Sequence, residues 1–142
     1  MFDRLHFQLS NKNYLMMHLQ ILIYQIILYS YLRCSTCKKA SNWLDQKNIE
    51  YKLIDIVQET PKVEYLYLAL EKYSDDKNKV FNTRGKKFKS IDFDIFASTN
   101  EQIIKLLTND GKLIKRPFLV YKEKKIILGF NENEYSNLFN ND

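Results

Sequence analysis

Residues 26–57 read IILYSYLRCSTCKKASNWLDQKNIEYKLIDIV, and this stretch decides the fold. It opens with β-branched, aliphatic and aromatic residues at 26–31, which predict a strand buried on both faces. The next segment, 38–47, predicts a helix, because Ala40, Trp43 and Leu44 recur at i, i+3 and i+4 and form one apolar stripe. A second apolar run at 51–57 predicts another strand. Strand, helix and strand in this order predict a parallel βαβ unit.

Two cysteines, Cys34 and Cys37, lie where the first predicted strand ends and the helix begins. Cysteine reacts as a thiolate, and the unpaired N–H groups and positive dipole end of a helix N-terminus stabilise that anion. Arg33, Lys38 and Lys39 add positive charge nearby. Since Cys34 precedes the first turn, we expect its thiolate to be stabilised more than that of Cys37. We therefore predict Cys34 as the nucleophile and Cys37 as its resolving partner.

Other interpretations of this cysteine pair stay open, namely two ordinary buried thiols or half of a zinc site. Zinc is disfavoured because there is no second CxxC, and the two histidines, His6 and His18, lie in a separate N-terminal stretch. No metal site is therefore predicted. A CxxC between a strand and a helix is typical of thioredoxin-like proteins, which favours redox or nucleophilic chemistry.

The rest of the chain predicts further helices and one hairpin. Thr60 and Pro61 predict a helix start, because threonine caps helices and proline suits the first helical position. Short apolar strands at 118–121 and 125–128, joined by three charged residues, require an antiparallel hairpin. Two further helices are predicted at 101–107 and 132–139. The fold class is therefore α/β, a thioredoxin-like mixed sheet (βαβ, then ββα) with an inserted helical subdomain.

Length and cysteine content predict one cytoplasmic domain. A chain of 142 residues with 45% hydrophobic residues suffices for a single buried core. Two cysteines are too few for a secreted disulfide scaffold, so a reducing cytosol is favoured. We predict a domain at 26–142 and an N-terminal extension of uncertain status at 1–25.

The N-terminal stretch is apolar over roughly membrane-spanning length, which raises the alternative of a membrane anchor. His18, Gln20 and Gln25 interrupt it, and no flanking cluster of Lys or Arg marks an orientation. A signal peptide is disfavoured too, because no small-residue cleavage site follows. A membrane association is therefore not predicted.

The formal charge of +5 is concentrated in two clusters. Such clusters suit a small oxyanion or an acidic partner surface, although solvated surface lysines are the plainer alternative. The absence of any recognisable nucleic-acid-binding motif argues against direct nucleic-acid binding. The clusters consist of Arg84, Lys86, Lys87 and Lys89, and of Lys112, Lys115 and Arg116.

Arg84 and Arg116 are the candidates for holding an oxyanion beside Cys34, because a planar guanidinium binds oxygen pairs with two donors. Pro117 follows Arg116 at the start of the predicted hairpin, where an X-Pro bond is a candidate for the cis isomer. The alternative is that both arginines are ordinary surface residues and that Pro117 is simply the first residue of a strand.

Four segments together, CSTCKKASNWL, FNTRGKKFK, LIKRPFLV and ILGFNENEY, resemble the ArsC-like family over residues 26–139. This family comprises thioredoxin-fold proteins with a helical insertion, including arsenate reductases and Spx-type regulators. The resemblance implies that Cys34 is the catalytic cysteine, that Arg84 and Arg116 bind an oxyanion, and that Pro117 is a cis proline facing the active site.

The chain departs from the glutaredoxin-coupled arsenate reductases at residues 129–131. Those enzymes carry a further arginine after the last strand, where this chain has Gly-Phe-Asn, and this difference argues against tight arsenate binding. The CxxC resembles that of Spx-type and related members, in which the two cysteines can form a disulfide. The NTRG and DGKLIKRP segments resemble the uncharacterised or reductase-like relatives more closely, which favours an enzyme.

The resemblance leaves two functions open. The first is a thiol oxidoreductase that takes a small oxyanion or a disulfide and has no bound cofactor. Its reductant would be glutathione, or a redox partner protein such as glutaredoxin or thioredoxin. The alternative is an Spx-like redox switch that binds RNA polymerase through a surface controlled by the Cys34–Cys37 disulfide.

Overall fold

Four strands form one mixed sheet. The computed structural model describes residues 24–140, together with residues 12, 15 and 16. The strands are β1 (Ile26–Ser30), β2 (Lys52–Asp55), β3 (Phe118–Tyr121) and β4 (Lys125–Leu128). They lie in the order β2-β1-β3-β4. The β1 and β2 strands are parallel, and β3 is antiparallel to both β1 and β4, which confirms the predicted βαβ unit and hairpin.

Between residues 24 and 140, five α-helices and two short 3₁₀ turns accompany the sheet. The predicted insertion between β2 and β3 is mostly helical, and one of its helices, the five-residue α3, was not expected because it has no apolar stripe. The helices are α1 (Ser35–Gln46), α2 (Val63–Lys72), α3 (Lys86–Ser90), α4 (Asn100–Asn109) and α5 (Glu132–Asn140), and the 3₁₀ turns are Lys77–Val80 and Gly111–Leu113.

The predicted start of the second helix at Thr60 and Pro61 is wrong. The helix begins at Val63, and Lys62 is its N-cap residue. Two hydrogen bonds from the backbone N–H groups of residues 57 and 58 to the Asp55 carboxylate form a turn directly after β2. Pro61 is buried in the loop that follows this turn, so the chain needs two more residues before it can turn into the helix.

The sheet is covered on both faces, and the two faces carry separate apolar cores. The α2 and α4 helices pack over one face, together with Tyr29 and Phe118, whose rings meet edge to face with centroids 5.9 Å apart. The α1 and α5 helices pack over the other face. The buried residues of that second core are Ile26, Leu28, Ala40, Leu44, Leu119, Tyr121, Ile127, Tyr135 and Leu138.

The loop between α4 and β3 is tied to the segment that precedes α3. Phe81 forms an isolated antiparallel bridge with Ile114, and the Asn82 N–H donates to the Leu113 carbonyl at 2.8 Å. Gly111 makes this path possible, because a Cβ there would overlap the carbonyl oxygen of Ile56. Residues 80–85 are thereby held beside residues 112–116, where the two basic clusters meet.

Within residues 24–140 and the three described residues before them, no helix is long and apolar enough to cross a bilayer. The predicted N-terminal extension at 1–25 lies almost entirely outside the described residues. The proposed boundary at residue 26 coincides with the first residue of β1.

Candidate active site

Cys34 is the N-cap residue of α1 and is half-buried. Its backbone is extended, and its sulfur accepts a hydrogen bond from the Cys37 N–H, with an N to S distance of 3.2 Å. The Lys38 N–H donates to the Cys34 carbonyl at 3.2 Å, which begins the helical hydrogen-bond pattern. An orphan N–H donor of the first turn therefore points at the sulfur, in the arrangement that stabilises a thiolate.

Cys37 lies one turn further along α1, on its inward face, and its side chain is buried. Burial, followed by the hydrogen bond with Cys34, raises the pKa of the Cys37 thiol to about 12. Both cysteines are free thiols. The two thiols are therefore distinct, since one is half-exposed at a helix end and the other is protonated and shielded at neutral pH.

Arg116 contacts the loop between β1 and Cys34. Its guanidinium carbon lies 4.7 Å from the centroid of the Tyr31 ring, a cation–π contact. The Tyr31 carbonyl accepts a hydrogen bond from the Cys34 N–H at 3.0 Å. The fold thus brings one of the two predicted arginines to the cysteine segment through a tyrosine that the sequence analysis did not single out.

One backbone oxygen joins the arginine to the neighbouring segment. The Lys112 carbonyl accepts hydrogen bonds from Arg116 Nη1 at 3.2 Å and from Asn82 Nδ2 at 3.4 Å. Arg84 lies two residues beyond Asn82 and is exposed, and it makes no hydrogen bond or ion pair within the described residues. The structure therefore places Arg84 on the segment next to Arg116, with its guanidinium open to solvent.

The two basic clusters of the sequence become neighbours in the fold. An ion pair between Lys87 and Asp110, 3.8 Å long, links the first cluster to the loop that carries the second. Lys115 extends past Gly129, with its Cε 3.5 Å from where a Cβ of that glycine would be. The two clusters are more than 20 residues apart in sequence, and together they form a positive surface beside Arg116.

Pro117 is buried, and the Arg116–Pro117 peptide bond is cis. The Pro117 carbonyl accepts a hydrogen bond from the Gly129 N–H at 2.9 Å. Gly129 has a φ of +75°, a left-handed conformation that favours glycine. The segment after β4 is thus a tight turn, where the arsenate reductases that the sequence resembles have an arginine nearby.

Residues 130 and 131 of this segment serve the fold. The Phe130 ring packs edge to face on Tyr135, with centroids 4.9 Å apart. The Asn131 carboxamide oxygen accepts hydrogen bonds from the N–H groups of Asn133 and Glu134, and so caps α5. Neither residue supplies a positive charge.

Three residues near the predicted site were not predicted from the sequence as part of it. Tyr31 and Asn82 hold Arg116 and its neighbouring segment, and Tyr135 is buried behind α1. The sequence offered a signal for two of them. Tyr31 is an aromatic residue three positions before the first cysteine of the CxxC, and Asn82 is a polar residue in the NTRG segment. In the part of the chain that the structure describes, no three or more His, Cys, Asp or Glu side chains form a group that could hold a metal ion.

A half-exposed thiol at a helix N-cap, with a buried thiol one turn later on a mixed four-stranded sheet, defines a CxxC protein of thioredoxin-like fold. Comparison with known families gives the narrower class, because the ArsC family model matches residues 29–138. The chain belongs to the ArsC family.

Curated relatives include both uncharacterised and regulatory proteins. The uncharacterized protein YusI of Bacillus subtilis (strain 168) is 34% identical over 112 residues, which cover 78% of this chain and 94% of YusI. The regulatory protein MgsR of the same strain is 33% identical over 110 residues, covering 78% and 86%. The global transcriptional regulator Spx of Listeria innocua is 28% identical over 109 residues, covering 77% and 82%.

Solved structures give the same fold. An ArsC family related protein from Bacteroides fragilis has a TM-score of 0.70 and 36% identity, covering 80% of this chain and 97% of that one. A possible arsenate reductase from Streptococcus mutans UA159 has a TM-score of 0.70 and 32% identity, covering 76% and 92%. The predicted thioredoxin-like fold and the family resemblance are both confirmed.

Proposed function

We propose that the protein is a thiol oxidoreductase in which Cys34 is the nucleophile and Cys37 the resolving cysteine. The observation that carries this proposal is the N–H of Cys37 pointing at the sulfur of Cys34, at 3.2 Å, while the Cys37 side chain is buried behind it. The half-exposed Cys34 sulfur is open to a substrate, whereas the buried Cys37 sulfur is shielded from one. This division of labour suits a two-cysteine exchange reaction.

With a disulfide substrate, the Cys34 thiolate attacks one sulfur and forms a mixed disulfide, and the first substrate thiol leaves and takes up a proton. Cys37 then loses its proton and attacks the Cys34 sulfur, and the second substrate thiol leaves and is protonated. The substrate disulfide gains two electrons and the two cysteines lose two as they form their own disulfide. Glutathione, glutaredoxin or thioredoxin would return the pair to the dithiol.

Arg116 and Arg84 are proposed to bind the negative charge of the substrate, an oxyanion or the carboxylates of a thiol compound. Arg116 is held by Tyr31 and the Lys112 carbonyl, which leave part of its donor fork unused. The exposed Arg84 side chain can reorient without breaking a hydrogen bond or an ion pair of the described residues. Pro117 is proposed to line the same site, next to Arg116. We place the reaction in the cytoplasm, where a reduced pair persists.

Turnover is the direct test of the enzyme. The reduced protein is assayed with a model disulfide and thioredoxin, then with arsenate, glutathione and glutaredoxin, and mass spectrometry identifies the cysteine that carries the mixed disulfide. We expect activity with the disulfide, abolished in Cys34→Ser, and a trapped mixed disulfide on Cys34 in Cys37→Ser. If neither assay shows turnover that depends on Cys34, the proposed enzymatic activity is refuted.

A redox switch that binds RNA polymerase is the second candidate, and the relatives named as regulators, MgsR and Spx, favour it. In this case the Cys34–Cys37 disulfide would alter the surface around the N-terminus of α1. The test is co-purification of RNA polymerase with the oxidised and with the reduced protein from native cells. An association that requires the oxidised state and is lost in Cys37→Ser, or one that requires the reduced state and persists in Cys37→Ser under oxidising conditions, would favour the switch over the enzyme.

A further inference from the structure

Tyr135, in the first half of α5, carries a hydroxyl group that the fold leaves unpaired. Its side chain is fully buried, and within the described residues its oxygen is one of two buried side-chain polar atoms without a hydrogen-bond partner. The ring is held edge to face by Trp43, at 5.6 Å between centroids, and by Phe130, at 4.9 Å. The hydroxyl therefore cannot turn out into solvent.

A buried hydroxyl without a partner costs folding free energy, and phenylalanine would fill the same space without that cost. The cost is explained if the hydroxyl gains a partner in another chemical state of the protein. Such a partner must be a buried group nearby whose charge changes during the reaction.

Cys37 is a buried thiol on α1, the helix that packs on Tyr135 through Trp43. It lies on the face of α1 that also carries Ala40 and Leu44, and these two pack in the same core as Tyr135. Burial first, and then negative charge on Cys37, raise the pKa of the Tyr135 hydroxyl above its usual range. The phenol therefore keeps its proton and can act as a donor when the neighbouring sulfur is ionised.

We propose that the Tyr135 hydroxyl donates a hydrogen bond to Cys37 Sγ when Cys37 ionises during disulfide closure, an inference that rests on the proposed two-cysteine reaction. The Cys37 proton passes to solvent, and the thiolate attacks the Cys34 sulfur of the mixed disulfide. The bond between Cys34 and the small thiol breaks, and the departing thiolate takes up a proton. Tyr135 keeps its own proton throughout.

The other groups that bear on this pair are few. Cys34 faces Cys37 from the N-cap of α1, and the Tyr31 backbone and the Ser30 side chain, at the end of β1, stabilise charge on Cys37. Glu134 adjoins Tyr135 on α5 and opposes its ionisation. Tyr135 is thus the phenol of α5 that shares a core with the face of α1 on which Cys37 lies.

The experiment measures how fast the Cys34–Cys37 disulfide closes. Reduced protein is mixed with oxidised glutathione, quenched with acid at intervals, and analysed by mass spectrometry between pH 6 and 9. We expect Tyr135→Phe to close about ten-fold more slowly than the unsubstituted protein, because a hydrogen bond to a charged group is lost. Its pH profile should be displaced upward by about one unit.

Tyr121→Phe is the matched control, because Tyr121 is a buried tyrosine of the same core whose ring packs on Phe139. It should close at the unsubstituted rate. Tyr135→3-fluorotyrosine keeps the shape of the side chain but is a stronger donor, so it should close faster. A role in packing alone would not produce opposite effects in these two variants of one position.

Closure of Tyr135→Phe within two-fold of the unsubstituted rate, with the same pH profile, would overturn this inference and leave the proposed function intact. Failure of the unsubstituted protein to form any Cys34–Cys37 disulfide would refute both. If Tyr135→Phe did not fold, the 3-fluorotyrosine variant would test the hydrogen bond. An unchanged rate of disulfide closure in that variant would contradict the hydrogen bond.

Discussion

The guanidinium of Arg116 lies over the ring of Tyr31, three residues before Cys34, with 4.7 Å between its central carbon and the ring centroid. Tyr31 also accepts the Cys34 N–H through its carbonyl, so one residue contacts both the arginine and the cysteine. The positive charge of the site is thereby tied to the segment that carries the sulfur. A stacked guanidinium keeps its edge donors available to an anion.

Replacing Arg116 tests this arrangement. We expect Arg116→Ala to lower kcat/KM for an anionic substrate by at least ~10-fold, because the fixed donor fork is lost. Steady-state kinetics at low salt measure the effect. Lys39→Ala removes an exposed charge near the same helix end and is the matched control, with an expected change below about two-fold. Equal losses in both variants would contradict the role given to Arg116.

The difference between the two thiols predicts selective alkylation. At pH 7 the reduced protein should take up iodoacetamide at Cys34, whereas Cys37, which is buried and has a pKa of about 12, should remain unmodified until the chain unfolds. Peptide mapping after a timed reaction measures both sites. Faster labelling of Cys37 than of Cys34 in the folded protein would contradict the assignment of nucleophile and resolving cysteine.

The raised pKa of Cys37 also predicts a pH dependence of stability. Its thiol titrates near 9 when exposed and at about 12 in the fold, so its contribution is complete below pH 9 and is lost as the pH rises toward 12. Between pH 8 and 10.5 the reduced protein should lose about 2 kcal/mol more than Cys37→Ala does. Urea unfolding under reducing conditions measures this difference.

Two buried or half-buried tyrosines, Tyr29 and Tyr51, also have pKa values of about 12 and add to the alkaline loss. Both tyrosines are still present in Cys37→Ala, so the difference between the two proteins gives the contribution of the Cys37 thiol to the loss of stability. An equal loss of stability with pH in both proteins would show that the thiol ionises as easily in the fold as in the unfolded chain.

Gly111 predicts a stability effect with no direct part in the chemistry. Gly111→Ala should destabilise the protein by about 1–3 kcal/mol, because the new methyl group would overlap the Ile56 backbone carbonyl. Thermal or urea unfolding measures the loss. Gly85→Ala is the control, since its Cβ would meet the end of the Asn82 side chain, which can move at the cost of one long hydrogen bond to the Lys112 carbonyl, so a smaller loss is expected. A larger loss at Gly85 would contradict the close approach at Gly111.

The predicted strands were largely correct because their signals are local. The pairs 118–121 and 125–128 agree with β3 and β4 residue for residue, since two short apolar runs joined by a short charged turn leave only an antiparallel pairing open. Helix starts were less predictable. The α2 start depends on the turn at Asp55, which is local, and on the burial of Pro61, which is a consequence of packing.

By itself the sequence determined the βαβ unit, the hairpin, and the place of Cys34 and Cys37 at a helix N-terminus, because hydrophobic period and turn residues act over a few positions. The tertiary structure decided which distant groups meet there. It brought Arg116 onto Tyr31, joined Asn82 to the same carbonyl as Arg116, and packed Tyr135 against α1 through Trp43. Such contacts depend on the order of strands in the sheet and on close packing, which no local pattern encodes.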